Sequence, residues 1–281
     1  MRLSSPLVST EWLAEHLDAP DVRIADASWY LPQAGRDAKA EYRAAHIPGA
    51  VFFDIDELSD EKSALPHMLP AAAKFASHMR RLGLGDGNFI VVYDGAGIYS
   101  APRAWWMLRA MGHEEVAVLD GGFPKWKREG RKIEDLIAQP HPRHFTPRPN
   151  NALLRSFDQV AQNLSSGREQ IVDQRSAPRF AGKEVEPRQG VRRGHIPGSL
   201  NVPYSELSSE EGTLRPREEL VQVFSSHGVD LTRPAVTSCG SGITAAIGLL
   251  ALQVAGARDM ALYDGSWAEW GGNPSAPVET E

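Results

Sequence analysis

The sequence predicts an α/β protein made of two tandem domains, each with a mainly parallel sheet flanked by helices. Three observations lead to this prediction. The chain has 281 residues, several motifs recur at one spacing, and short apolar runs precede glycine-rich turns and helical patterns. At ~100–200 residues per domain, the length suits two domains, each able to bury its own core.

The motifs recur at a spacing of 144 to 149 residues. The segment His46–Gly49 recurs as His195–Gly198, and Asp94–Ile98 recurs as Cys239–Ile243. The remaining matches are Leu119–Gly122 with Tyr263–Ser266, Trp126 with Trp270 and, more weakly, Ile24–Asp26 with Ile171–Asp173. A spacing this long indicates a duplicated domain rather than a solenoid of short repeats.

A proline-rich segment separates the two copies. Residues 140–150 contain four prolines and no apolar periodicity. Each proline fixes φ and removes a backbone donor, so this segment is predicted to be extended. We therefore predict domains over 1–139 and 153–281, joined by a linker over 140–152.

Within each copy, a strand precedes a glycine-rich turn and a helix. The runs Phe89–Tyr93 and Ala235–Ser238 have the length and composition of buried strands. Helical patterns follow over 101–108 and 245–250, and Pro102 suits a first helical turn, where its missing N–H has no partner to lose. Such strand–turn–helix units favour a parallel sheet.

Composition limits the possible functions. The chain has 30 basic and 36 acidic residues, and this net charge of −6 argues against a nucleic-acid surface. The single cysteine, Cys239, excludes an intrachain disulfide and a cysteine-rich metal site. Because we find neither a signal-peptide pattern nor an apolar run of ~20 residues, we expect a cytoplasmic protein with a reduced thiol and no membrane partner.

The two copies differ at the residue that heads the glycine-rich turn, which is Asp94 in the first and Cys239 in the second. A strand that ends in such a turn directs backbone N–H groups and the positive end of a helix dipole to one point. Cys239 is therefore placed to react as a thiolate, whereas Asp94 cannot carry out sulfur chemistry. A structural core cysteine is the alternative, but it would not need the close backbone approach that Gly240 and Gly242 allow.

These features together resemble the rhodanese superfamily of sulfurtransferases, over roughly residues 11–279. The features that carry the resemblance are the duplicated domain, the two His-Ile-Pro-Gly segments, the Asp94 loop and the Cys239 loop. The resemblance implies that a persulfide forms on Cys239 and passes its sulfur to a thiol, cyanide or a thioredoxin-type protein. It implies neither a metal nor an organic cofactor, and we expect a monomer.

The resemblance also bears on the sulfur donor, which we expect to be a small anion. Thiosulfate-using members carry a cationic Arg-Lys pair after the cysteine, whereas this chain has Gly240 and Ser241 there. This difference favours 3-mercaptopyruvate. Two alternatives stay open: thiosulfate as main donor with cyanide as acceptor, and a non-catalytic module that holds an anion.

Two arginines match family positions that hold the carboxylate and keto oxygen of the donor, namely Arg179 and Arg188. A guanidinium group suits this role because it binds a carboxylate through two parallel hydrogen bonds. Without the resemblance, solvation at the surface or an ion pair with Glu184 or Glu186 would explain these arginines equally well.

The resemblance implies further site residues in both copies. Asp56 and Ser241 are expected to move protons for the cysteine, and His67 is expected to contact the donor. The other loop residues expected to bind substrate are Gly240, Gly242, Ile243 and Thr244. This set would place the active site between the two domains, a usual location for ligand clefts.

Overall fold

The structure, a computed structural model, describes residues 5–281. Its contacts divide the chain into two compact units. The first comprises residues through Asp60, Leu69–Asn150 and Ser209–Leu214, and the second comprises Glu61–Met68, Asn151–Ser208 and Arg215–Glu281. Each unit thus includes a short segment from the other half of the chain. The boundaries at 139 and 153 stay predictions.

The first unit is a five-stranded sheet with helices. Its strands are β1 (Leu7–Val8), β2 (Val22–Asp26), β3 (Val51–Phe52), β4 (Phe89–Tyr93) and β5 (Val116–Leu119). Its helices are α1 (Thr10–Glu15), α2 (Ala38–Ala44), α3 (Ala72–Arg81), α4 (Ala101–Ala110) and α5 (Gly122–Arg128). The strand order is β1-β5-β4-β2-β3, and each neighbouring pair is parallel.

The second unit repeats this arrangement. Its strands are β6 (Leu154–Arg155), β7 (Gln170–Asp173), β8 (Leu200–Asn201), β9 (Ala235–Ser238) and β10 (Met260–Tyr263). Its helices are α6 (Phe157–Ser166), α7 (Ala177–Phe180), α8 (Arg217–Ser226), α9 (Ala245–Ala255) and α10 (Ser266–Trp270). The order β6-β10-β9-β7-β8 is again parallel throughout, which confirms the predicted fold class. Within residues 5–281, none of the helices is long and apolar enough to cross a membrane.

The strands that lead to the two glycine-rich loops have the predicted bounds. Every residue of β4 and of β9 is buried, as expected for a parallel sheet with both faces covered. Helix α4 begins at Ala101 with Pro102 in its first turn, and α9 begins at Ala245. Both loops therefore lie between the carboxyl end of a buried strand and the start of a helix.

The two His-Ile-Pro-Gly segments have a structural role. In the first unit, the backbone groups of His46 and Glu134 exchange two hydrogen bonds, of 2.8 and 3.0 Å. In the second unit, His195 and Glu279 do the same, at 2.9 and 3.0 Å. In both units the glutamate side chain also accepts the N–H of the glycine in the motif. In each unit, these hydrogen bonds join the His-Ile-Pro-Gly motif to a segment that lies later in the chain.

The proline-rich segment 140–150 contains neither helix nor strand and packs on the first unit. Phe145 is buried against Phe75, with ring centroids 5.6 Å apart. The N–H of Arg148 donates to the carbonyl of Met111 at 2.8 Å. Contacts of Phe145 and Arg148 therefore bind this segment to the first unit.

Candidate active site

Cys239 follows the last residue of β9 and is only 2% exposed. Its N–H donates to Ser266 Oγ at 3.2 Å, and its Sγ accepts the N–H of Gly242 at 3.1 Å. The carbonyls of Cys239 and Gly240 accept N–H groups of Trp267 and Ala268, both at 2.9 Å. N–H groups in the first turn of α10 thus bind the carbonyl groups of Cys239 and Gly240. The Cys239 sulfur instead lies beside N–H groups of the loop, which we call its amide side.

The amide side of this loop has the form of an anion-binding cradle. Within residues 5–281, the N–H groups of Ser241, Ile243 and Thr244 have no hydrogen-bond acceptor. Gly242 has φ +81°, a left-handed conformation that side chains rarely adopt, which explains the glycine at this position. Several backbone donors and the start of α9 are therefore available to a negative charge beside Cys239.

The loop of the first unit contains its own anion. The carboxylate of the fully buried Asp94 accepts four backbone N–H groups. Oδ1 accepts from Ala96 at 2.9 Å, and Oδ2 accepts from Tyr99, Ser100 and Ala101 at 2.8, 2.9 and 2.8 Å. The repeat aligns Asp94 with Cys239, so the same backbone design presents a carboxylate in one unit and a sulfur in the other.

The guanidinium groups of Arg179 and Arg188 lie beside the loop. A Cβ placed on Gly240 would lie 3.2 Å from Arg179 Nη2 and 3.8 Å from Arg188 Nη1. Burial lowers the pKa of Arg188 below the ordinary arginine value, while Cys239 raises it and Arg179 lowers it. Both side chains are half-buried. Two guanidinium groups therefore lie beside Gly240, and the roles of Arg179 and Arg188 in binding a donor stay predictions.

Arg179 is also held in an ion pair. Its Nη2 donates to Glu186 Oε2 at 2.5 Å, and its Nε donates to Oε1 at 3.3 Å. Of the two carboxylates considered from the sequence, Glu186 is the partner, whereas Glu184 is exposed. The ion pair and the position beside Gly240 occur together, so they are not alternatives.

Behind this pair lies a buried network that sequence reasoning missed. Arg175, which is fully buried, donates to Glu186 Oε1 at 2.9 Å and to Asp173 Oδ2 at 2.6 Å. Its guanidinium group lies over the Trp267 ring, 4.4 Å from the centroid. Burial alone would lower the pKa of Arg175, but Asp173 and Glu186 more than offset this, and the pKa is raised.

A difference between the two copies could have revealed this network. Asp173 aligns with Asp26, and at the same spacing Arg175 aligns with Ser28. In the first unit, the buried Asp26 accepts hydrogen bonds from the hydroxyl and N–H of Ser28. The second copy therefore has a cation where the first has a hydroxyl.

The remaining predicted residues belong to different compact units. Ser241 lies in the loop and is 7% exposed. His67 belongs to the same compact unit as Cys239, with φ +60°, an uncommon conformation for a residue other than glycine. Asp56 belongs to the first unit, where its exposed carboxylate accepts the indole N–H of Trp29 at 3.1 Å. The catalytic roles of Asp56 and His67 stay predictions.

No grouping of three or more His, Cys, Asp or Glu side chains that could hold a metal ion is found within residues 5–281. The chemical groups at the loop are a sulfur, backbone N–H donors and two guanidinium groups. This arrangement can bind an anionic molecule and present its reacting atom to a nucleophile.

Comparison with known proteins finds related sequences along nearly the whole chain. The family model for the rhodanese-like domain matches residues 9–129 and again 156–273. Human 3-mercaptopyruvate sulfurtransferase is 45% identical over 275 residues, which cover 96% of this chain and 93% of the relative. Bovine thiosulfate sulfurtransferase is 44% identical over 281 residues, which cover 98% of this chain and 94% of the relative.

A solved structure agrees with these sequence matches. The crystal structure of a 3-mercaptopyruvate sulfotransferase from Escherichia coli superposes with a TM-score of 0.87 at 43% sequence identity. The match covers 94% of this chain and 99% of that structure.

Proposed function

This chain belongs to the rhodanese family, and from that membership we propose that it is a 3-mercaptopyruvate sulfurtransferase that uses Cys239 as its nucleophile. The observation that carries the proposal is the convergence of three kinds of group at one point. The Cys239 sulfur, the backbone N–H groups of its loop, and the guanidinium groups of Arg179 and Arg188 lie together. A nucleophile with anion-binding groups on both sides suits a negatively charged sulfur donor.

In the first step, the Cys239 thiolate attacks the sulfur of 3-mercaptopyruvate. The carbon–sulfur bond breaks, and its electron pair moves to the carbon, so that pyruvate leaves as the enolate. Arg179 and Arg188 bind the carboxylate and the keto oxygen, where negative charge develops. Ser241 and Asp56 deliver the proton that converts the enolate to pyruvate, and His67 contacts the donor.

In the second step, an acceptor thiolate or cyanide attacks the outer sulfur of the persulfide. The sulfur–sulfur bond breaks, and its electron pair returns to Cys239. Because Cys239 is the only cysteine in the chain, no second thiol of the same molecule can accept this sulfur. The acceptor therefore comes from outside, and we propose a small thiol, cyanide or a thioredoxin-type protein. Ping-pong kinetics follow.

The loop sequence favours 3-mercaptopyruvate over thiosulfate. Thiosulfate is a dianion, and the positions that follow Cys239 carry Gly240 and Ser241 rather than cations. Steady-state kinetics with both donors test this preference. A higher kcat/KM for 3-mercaptopyruvate is expected, and a higher value for thiosulfate would overturn the donor assignment.

Cellular location and assembly are further parts of the proposal. A nucleophilic thiol must be reduced, and the cytoplasm keeps thiols reduced, which supports cytoplasmic residence. We also propose that the protein is a monomer. Cell fractionation and light scattering test these two statements.

A further inference from the structure

We propose that Glu186 is a positioning residue that orients Arg179 for the carboxylate of the donor, with Arg175 as its buried anchor. The inference rests on the proposed function, because it concerns how that site binds its donor. It adds two residues, Glu186 and Arg175, that contact Arg179 directly or through each other.

The geometry at Arg179 leaves part of its guanidinium group available. Glu186 accepts from Nε and Nη2 of Arg179, which are two of the nitrogens on one edge of the planar group. Nη1 and the second hydrogen of Nη2 are not used by Glu186. These nitrogens are the ones beside the loop, since Nη2 and Nη1 lie 3.2 and 3.9 Å from a Cβ placed on Gly240. Glu186 thus fixes the edge formed by Nε and Nη2 and leaves the edge formed by Nη1 and Nη2, which lies beside Gly240, available to a carboxylate.

Glu186 can hold this orientation because it is itself held. Its side chain is only 3% exposed, and its Oε1 accepts from Arg175 Nη1 at 2.9 Å. Arg175 is fixed in turn by Asp173, by the carbonyl of Gly194 at 2.8 Å, and by the Trp267 ring. A planar guanidinium group with locked partners loses little conformational freedom when it binds a carboxylate.

The two arginines beside the loop, Arg179 and Arg188, differ in whether a carboxylate binds the guanidinium group. Arg179 has a buried carboxylate partner, whereas Arg188 has no ion-pair or side-chain hydrogen-bond partner within residues 5–281. The site therefore combines one arginine that is held by a buried carboxylate with one that has no such partner within residues 5–281. We expect the oriented one to determine how well the carboxylate binds.

Charge and orientation predict opposite effects when Glu186 is neutralised. Loss of a carboxylate makes the surroundings of Cys239 more positive, so charge alone would strengthen binding of an anionic donor. Loss of orientation would weaken it, because a glutamine presents an amide N–H group to arginines that are themselves donors. The direction of the change in KM therefore distinguishes the two effects.

The test compares Glu186→Gln with the exposed neighbour Glu184→Gln as a matched control, using 3-mercaptopyruvate. For Glu186→Gln we expect KM to rise about tenfold with kcat changed less than about threefold, while Glu184→Gln matches the wild type. The Ki of pyruvate as a product inhibitor should rise in parallel. Alkylation of Cys239 by neutral iodoacetamide, measured at a pH at which the thiol is fully ionised in both proteins, should keep its rate, which would show an intact loop.

A double-mutant cycle establishes that Glu186 acts through Arg179. In the Arg179→Gln background, Glu186→Gln should raise KM by less than about twofold further. If Glu186→Gln does not fold, Glu186→Asp keeps the charge and withdraws the carboxylate, and it should also raise KM. An unchanged or lowered KM in the folded variant, or full multiplication of the two effects in the double variant, would overturn the proposal. Wild-type turnover of 3-mercaptopyruvate in the same assay tests the proposed function separately.

Discussion

The side chains of Asp94 and Cys239 head equivalent loops, and each accepts backbone N–H groups of the loop that follows it. Asp94 accepts four such groups, and Cys239 Sγ accepts that of Gly242. In the first unit the anion is part of the protein and fills the cradle. In the second unit, the N–H groups of Ser241, Ile243 and Thr244 have no acceptor within residues 5–281 and are available to a reacting molecule. One backbone design thus serves stability in one copy and, as proposed, catalysis in the other.

The Asp94 carboxylate is predicted to be a major source of stability for the first unit. Asp94→Asn turns an amide NH₂ group toward backbone donors, so the free energy of unfolding should fall by at least about 2 kcal/mol. Asp37→Asn is the matched control. Asp37 caps α2 through one N–H at 3.0 Å, and asparagine caps helices equally well. Urea unfolding of both variants measures the difference, and equal effects would contradict this role of Asp94.

The buried Asp26 should make stability depend on pH. Burial is the main cause that raises the pKa of this carboxyl from 3.8 to about 6; hydrogen bonds from Ser28 and Tyr93 oppose the rise and Asp94 adds to it. Because the folded pKa is the higher one, the stabilisation that protonation gives is complete below pH ~4 and lost as pH rises through about 6. Asp26→Asn should therefore stabilise the protein at pH 8 by up to about 3 kcal/mol and have little effect at pH 4. Urea unfolding at both pH values measures the difference in the free energy of unfolding between the variant and the wild type. Equal stability of the two proteins at pH 8 would contradict this role of Asp26.

Gly248 should not tolerate alanine, although it lies inside helix α9. A Cβ there would lie 2.4 Å from Cδ of the fully buried Gln174. Alanine usually stabilises a helix interior by about 1 kcal/mol relative to glycine, but here overpacking should destabilise by about 1–3 kcal/mol. In a Gln174→Ala background the same change should become neutral or stabilising. A Gly248→Ala protein with a raised unfolding midpoint would contradict the close packing.

Removal of Arg188 should affect the two donors unequally. Arg188→Gly is expected to raise KM and lower kcat for 3-mercaptopyruvate, with kcat/KM reduced about 100-fold, because a charged hydrogen-bond donor is lost where negative charge develops. The reduction for thiosulfate should be smaller. Arg193 is exposed, and the Arg193→Gly variant serves as the control. Equal losses for both donors would show that Arg188 does not recognise the keto acid.

Much of the fold and of the loop could be predicted from the sequence because these features are local. β4 and β9 are continuous buried runs, and each passes directly into its loop and helix. The convergence of N–H groups on the residue that heads the loop follows from that order of elements. The arginines near Cys239 came from the family resemblance rather than from any spacing.

The buried network and the composition of the units could not be predicted in the same way. Glu186 meets Arg175 only after the chain between them folds back, and no periodicity marks that contact. Likewise, the segment Glu61–Met68, which contains His67, belongs to the second compact unit although it lies far from the rest of it in sequence. Such long-range contacts depend on tertiary packing, which a pattern read along the chain does not contain.

Cys239 is proposed to carry the transferred sulfur, and the intact mass of the protein shows whether it does. The reduced wild-type protein and the Cys239→Ser variant are each incubated with 3-mercaptopyruvate and then separated from the donor. The intact mass of each protein is then measured. We expect the wild type to gain the mass of one sulfur atom and to lose it on addition of cyanide or a thiol, and we expect the folded serine variant to gain none. A wild-type protein with a free Cys239 that gains no sulfur, or a serine variant that gains as much, would contradict the account.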